Sequence, residues 1–125
     1  MAGERVADAL RGLPAINPGR VVEIARALIA IPSAYGQEGA IGRHIAGVME
    51  AAGLAVQLTE VAPGRYNVLA VWPGHETEAP LDLLFHGHMD TVPAYGMADP
   101  FDPRVAQGRI WGRGAVDQKL SLIHI

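Results

Sequence analysis

The chain has no cysteine anywhere in its 125 residues. Disulfides and thiolate metal sites are thereby excluded, leaving imidazoles and carboxylates as the side chains able to hold a metal. The absence fits a cytoplasmic protein. It also has no apolar run near the about 20 residues a membrane span needs, and Met1 to Arg5 carry no apolar signal-peptide core, so a soluble, cytoplasmic protein is expected. Positive charge is in deficit too. Ten Lys and Arg against thirteen Asp and Glu give a net charge of -3 with no basic stripe, so no nucleic-acid partner is expected. Repeats, linkers and low-complexity tracts are missing, and 50% hydrophobic residues are enough for one domain with a core.

What is present reads as alternating helix and strand. A short amphipathic piece around Val6, Ala9 and Leu10 opens the chain, and Asn17-Pro18 then offers an N-cap followed by a proline whose missing N–H costs nothing in a first helical turn. Val21, Val22, Ala25, Leu28 and Ile29 recur at helical spacing against a polar face of Arg20, Glu23 and Arg26, and Ile31-Pro32 closes that helix near Ala30. A second helix is predicted from Glu38 to Ala52 on Ile41, Ile45, Val48 and Met49, with Gly53 as its left-handed cap. Leu54, Val56 and Leu58 alternate as a half-buried strand, and Pro63-Gly64 turns the chain into a second strand, Tyr66 to Trp72, as a hairpin. Pro73 to Pro80 reads as an exposed loop, Leu81 to Phe85 as a short buried strand, Thr91 to Gly108 as a long loop and Arg109 to Trp111 as a strand.

The chemistry gathers where the apolar run ends, in His86-Gly87-His88-Met89-Asp90. In an extended segment residues i and i+2 project to one side, so His88 and Asp90 can share a pocket. A metal-bound imidazole needs its second nitrogen held by an acceptor, and Asp90 is placed to supply it. Asp117, after the glycine pair Gly112 and Gly114, offers two oxygens that can bind one metal or bridge two. His86 reads as a packed or supporting histidine, and His44 and His75 as surface residues. Taken singly, a His-x-Asp triplet is a weak signal, a glycine pair is commonly a tight turn, and a lone aspartate is commonly a solvated cap.

In combination the motifs are specific. Phe85 to Pro93, then Asp99-Pro100-Phe101, then Gly108 to Lys119 closely resemble the zinc metallopeptidase family that includes acetylornithine deacetylase, succinyl-diaminopimelate desuccinylase, carboxypeptidase G and the aminoacylases. The resemblance spans about residues 18 to 119. It implies an α/β fold, helices packed on a mixed β-sheet, as the N-terminal part (residues 1–119) of a zinc-exopeptidase-like catalytic domain. It further implies His88 as ligand of one zinc, Asp117 as the carboxylate bridging two zincs, with cobalt or manganese as substitutes, and Asp90 as the catalytic-site residue orienting His88. The Asp117-Gln118 peptide is expected to be cis. The implied reaction is hydrolysis of the amide or peptide bond of an N-acyl amino acid or small peptide, by a homodimeric enzyme. The family takes its general-base glutamate and remaining ligands from positions beyond Lys119.

The last six residues, Leu120-Ser121-Leu122-Ile123-His124-Ile125, resemble the translation of CTGTCTCTTATACACATC, a transposon-end string used to tag sequencing libraries. Residues 120–125 are therefore expected to be foreign, and His124 is not a candidate ligand. The chain is expected to be a truncated, N-terminal piece of the enzyme, inactive by itself. Two other readings stay open. One is an inert, non-enzymatic truncated fragment with no activity or partner of its own. The other is a metallo-β-lactamase-like hydrolase, whose His-x-His-x-Asp-His motif is matched by His86, His88 and Asp90 but interrupted by Thr91.

Overall fold

The computed structural model describes residues 15–74 and 83–119. The amphipathic piece around Val6, His75 with the rest of its loop, Leu81, Asp82 and the six-residue tail lie outside them.

Helix α1 runs Pro18–Ala30 and helix α2 Gly39–Ala51, within a residue of the predicted ends. Asn17 caps α1, its side-chain Oδ1 accepting from the Arg20 N–H at 3.2 Å, and Ile31 leaves the helix in an extended conformation ahead of Pro32. Ala25, Leu28 and Ile29 are buried, one stripe at i, i+3 and i+4. On α2 the stripe is Ile41, Ile45 and Ala46. The helix ends at Gly53 (φ 88°), with the Leu54 N–H donating back to the Met49 carbonyl at 3.1 Å. Leu28, Ile41 and Ile45 form the core, with Ile24, Ile31, Met49, Val68 and Met89 packed around it. Each of the three core side chains contributes about 2 kcal/mol of transfer free energy, before chain entropy is counted.

Strands β1 (Ala55–Ala62) and β2 (Arg65–Val71) pair antiparallel, with Leu58 opposite Val68 and an irregularity between Glu60 and Ala62. Their turn holds Gly64 at φ 72°, its N–H bonded to Glu60 Oε1 at 2.8 Å. This hairpin lies on α2. A Cβ on Gly39 would collide with the Gly64 carbonyl oxygen, and one on Gly42 would touch Tyr66 Cβ at 3.7 Å, so both glycines set how closely helix and hairpin approach.

A second hairpin pairs β3 (Arg104–Ala106) with β4 (Arg109–Trp111) across Gln107 and Gly108, both at positive φ. The sequence reading folded β3 into a loop. Arg26 Nε of α1 donates to the Pro103 carbonyl just before the hairpin at 3.3 Å, and the Arg113 N–H closes the hairpin's base on the Pro100 carbonyl at 2.7 Å.

The α/β class holds, the described residues forming two helices and two antiparallel hairpins. Parallel pairing enters through one bridge, Ala34 to Thr91. Two expectations are corrected. Leu83, Leu84 and Phe85 are neither strand nor buried, being 65–69% exposed, because no described segment lies beside them to take their hydrogen bonds. His44 is half-buried rather than a surface residue, its Nε2 covered and without a hydrogen-bond partner, since it borders the stripe between Ile41 and Ile45.

Candidate metal centre

The segment carrying His88 is fastened to the end of α1 by backbone and hydroxyl groups. Fully buried Ser33 donates its Oγ–H to the Met89 carbonyl at 2.9 Å, and its own carbonyl accepts the Thr91 N–H at 2.8 Å. Met89 turns inward against Gly42 and the core, which leaves the residues on either side of it, His88 and Asp90, facing outward.

Those two side chains meet as the i, i+2 spacing predicts. His88 Nδ1 lies 3.1 Å from Asp90 Oδ1 and 3.1 Å from the Asp90 carbonyl oxygen. Nδ1 faces two acceptors and Nε2 one; with the proton on Nδ1, the ring's free lone pair sits on Nε2. Nε2 points at Asp117, 3.3 Å from Oδ1. The Asp117 side chain is 77% exposed, against 44% for His88 and 39% for Asp90, so the arrangement is open on the Asp117 side.

Asp117 is presented by the turn that follows β4. Gly112 and Gly114 shape that turn by close approach, since a Cβ on Gly112 would collide with Ile29 Cγ2 and one on Gly114 would lie 2.7 Å from Thr91 Cγ2. The Asp117-Gln118 peptide is cis, as expected. Beyond it Lys119 is buried, its Nζ donating to the Ile31 carbonyl at 2.6 Å and its N–H to the Gly114 carbonyl at 3.0 Å. Burial pushes its ammonium down to about 8. Gln118 Oε1 accepts the His88 N–H at 3.0 Å.

Beside His88 opens a pocket of about 210 Å³, walled by Arg65, Tyr66 and Asn67 of β2 and by His86 to Asp90. His86 lines it but is exposed rather than packed. At its edge Glu38 accepts from Arg65 Nε and Nη2, both at 2.8 Å, and the Arg65 guanidinium stacks 4.4 Å above the Tyr35 ring. Burial tends to raise the Glu38 pKa, but hydrogen bonds from Arg65 and from the Gly36 N–H outweigh it and hold the carboxyl below its usual value.

The donor chemistry fits a divalent ion of zinc type. One imidazole nitrogen is free, the other is held by a carboxylate, and a second carboxylate faces the free one. Among the described residues no cluster of three or more ligating side chains forms. The sequence reading named His88, Asp90 and Asp117, and the fold brings all three together. It assigned no role to Gln118, Ser33 or Lys119, of which Gln118 and Lys119 stand within the Gly108 to Lys119 motif and Ser33 carried no signal.

Residues 84–125 match the family described as peptidase family M20/M25/M40. Over 104 residues the chain is 37% identical to a Pyrococcus furiosus protein bearing the name LysW-lysine/LysW-ornithine hydrolase, covering 83% of this chain and 28% of that one. Succinyl-diaminopimelate desuccinylase of Methylobacterium sp. is 38% identical over 101 residues, 77% of this chain and 25% of its own length. The enzyme of the same name from Beijerinckia indica is 36% identical over 104 residues, 78% of this chain and 27% of its own. The chain thus spans about a quarter of the length of the curated relatives it matches.

Proposed function

The chain belongs to the peptidase family M20/M25/M40, and from that premise we propose that it carries the first part of a metal-dependent amidohydrolase centre, with His88 and Asp117 as metal ligands. The observation that carries this reading is the His88 ring, held at Nδ1 by Asp90 and facing Asp117 through Nε2. Two zinc ions are the proposed cofactor, with cobalt or manganese able to replace them, since imidazole and carboxylate donors discriminate weakly.

When bound, such ions polarise the attacked carbonyl and lower the pKa of a water molecule. The residues of this chain perform the supporting tasks. Asp90 keeps the proton on Nδ1 and fixes the ring plane, so that the Nε2 lone pair is always the one presented. Asp117 contributes negative charge and two oxygens opposite it. Ser33 holds the carbonyl of Met89, between the two functional residues, and so restrains their separation. The pocket beside His88, with Arg65, Tyr66 and Asn67 on its far wall, is the proposed place of the substrate's reacting end.

The proposed reaction is hydrolysis of the amide bond of an N-acyl amino acid or a small peptide. Two of the relatives are named for removing a succinyl group from diaminopimelate, which makes N-succinyl amino acids the first substrates to try. The whole protein is proposed to act as a cytoplasmic homodimer, with its general base on sequence beyond Lys119, and the 125-residue chain is proposed not to turn over alone. No helix among the described residues is long and apolar enough to cross a membrane.

The test is hydrolysis of N-succinyl and N-acetyl amino acids by the longer protein encoded by the source gene, with and without a chelator. Activity restored by zinc and lost in His88→Ala and Asp117→Ala is the expected result. A longer protein that binds no metal, or whose turnover survives both substitutions, overturns the reading.

A further inference from the structure

We propose that Gln118 is a positioning residue, whose side-chain carbonyl locks the backbone of His88 to the segment that carries Asp117. The inference rests on the metal-centre reading above and extends it to a residue that never touches the metal.

The argument begins with how few attachments set the distance between the two ligands. His88 is tied to α1 through its neighbours, by Ser33 Oγ to the Met89 carbonyl and by the Thr91 N–H to the Ser33 carbonyl. Asp117 is tied to α1 by a separate route, through Lys119 Nζ to the Ile31 carbonyl. Each route leaves its ligand free to shift relative to the other, because the two end on different carbonyls of the stretch after α1. Gln118 joins them directly. Its Oε1 accepts the His88 N–H at 3.0 Å, while the preceding residue places Oδ1 3.3 Å from His88 Nε2.

Gln118 therefore holds His88 by its backbone N–H, while Asp117 lies opposite the ring tip. With Asp90 on Nδ1, His88 is held both at its backbone and at one ring nitrogen, and Nε2 is left facing Asp117. Without the Gln118 contact, rotation of the loop about its Ser33 attachment carries Nε2 away from Asp117 while Asp90 travels with it. The pair of ligands is then no longer preorganised for a metal. Groups that orient a metal ligand from outside its coordination shell typically change affinity by about 10–100-fold.

The test uses the longer protein encoded by the source gene, its Gln118→Met variant, which keeps the length but removes the oxygen acceptor, and Gln118→Glu, which restores one. Hydrogen exchange by NMR is followed at the His88 and Thr91 amides without metal, and a zinc titration is followed at the His88 ring signals. The expected result is His88 exchange about tenfold faster in Gln118→Met with Thr91 unchanged, return toward the parent rate in Gln118→Glu, and zinc affinity about tenfold weaker in Gln118→Met. His88 exchange that does not change, or that quickens together with Thr91, overturns the positioning role. Zinc that leaves the His88 ring signals of the parent chain unmoved overturns the metal-centre reading instead, and the exchange data still decide the contact.

Discussion

Glu38 and Arg65, 27 positions apart, meet fork to fork, with both hydrogen bonds at 2.8 Å and the Glu38 side chain only 7% exposed. The pair joins the N-terminus of α2 to the start of β2 and forms one edge of the pocket beside His88. Arg65→Ala leaves the Glu38 carboxylate without its guanidinium partner and is expected to lower the urea midpoint. Arg65→Lys keeps the charge but loses the second hydrogen bond, so it should fall between the two.

The same carboxylate gives stability a pH dependence. Its folded pKa lies below its ordinary value of 4.5, so the native state binds its proton less readily than the unfolded chain. That contribution is complete above the unfolded pKa and is lost as pH falls through the folded one. Thermal melts should show the midpoint declining below about pH 4.5, with the slope reduced in Glu38→Gln. An equal slope in both proteins assigns the acid sensitivity to other carboxylates.

Removing the proposed ligands should abolish zinc binding without unfolding the chain, because His88 and Asp117 are exposed and outside the core. In calorimetric titration of the longer protein, His88→Ala and Asp117→Ala are expected to lose zinc uptake that the parent shows. Asp90→Asn should keep binding but weaken it about tenfold, since the amide holds Nδ1 less firmly than the carboxylate. Circular dichroism identical to the parent in all three variants separates loss of ligand from loss of fold.

Gly114→Ala is expected to destabilise by about 2 kcal/mol, combining a positive φ of 83° with a new methyl group 2.7 Å from Thr91 Cγ2 and 2.9 Å from Lys119 Cδ. Gly36→Ala shares the positive φ (86°) but has open space around it, so its smaller loss measures the backbone part alone. Chemical denaturation of the two variants side by side gives the difference.

Both helices and the first hairpin were legible because local signals specify them. The Asn17-Pro18 cap, the apolar stripes and Pro63-Gly64 act within a few residues, and the ends fell within a residue or two. β3 was hidden in proline-rich and glycine-rich sequence, though Gln107-Gly108 between Val105 and Ile110 is a two-residue turn signal that could have found it. The described part of the apolar run, Leu83 to Phe85, reads as buried strand because apolar runs usually are, but burial is decided by neighbours that a run does not encode. His88 and Asp90 were legible from i, i+2 spacing, and Asp117 from the motif it ends. Gln118 and Ser33 were not, since their roles exist only through partners 30 and 56 positions away.

Those separations give the folding of the chain an order in time. The hairpin β1–β2 closes over a few residues, and α2 docks on it from next door in sequence, whereas the contacts of Ser33 with Met89 and of Lys119 with Ile31 close loops of 56 and 88 positions. Chain-closure entropy grows with loop length, and contacts of high sequence separation slow folding. The contacts that place His88 and Asp117 are therefore expected to form after α2 has docked on the first hairpin, a unit that by itself holds no place for a metal.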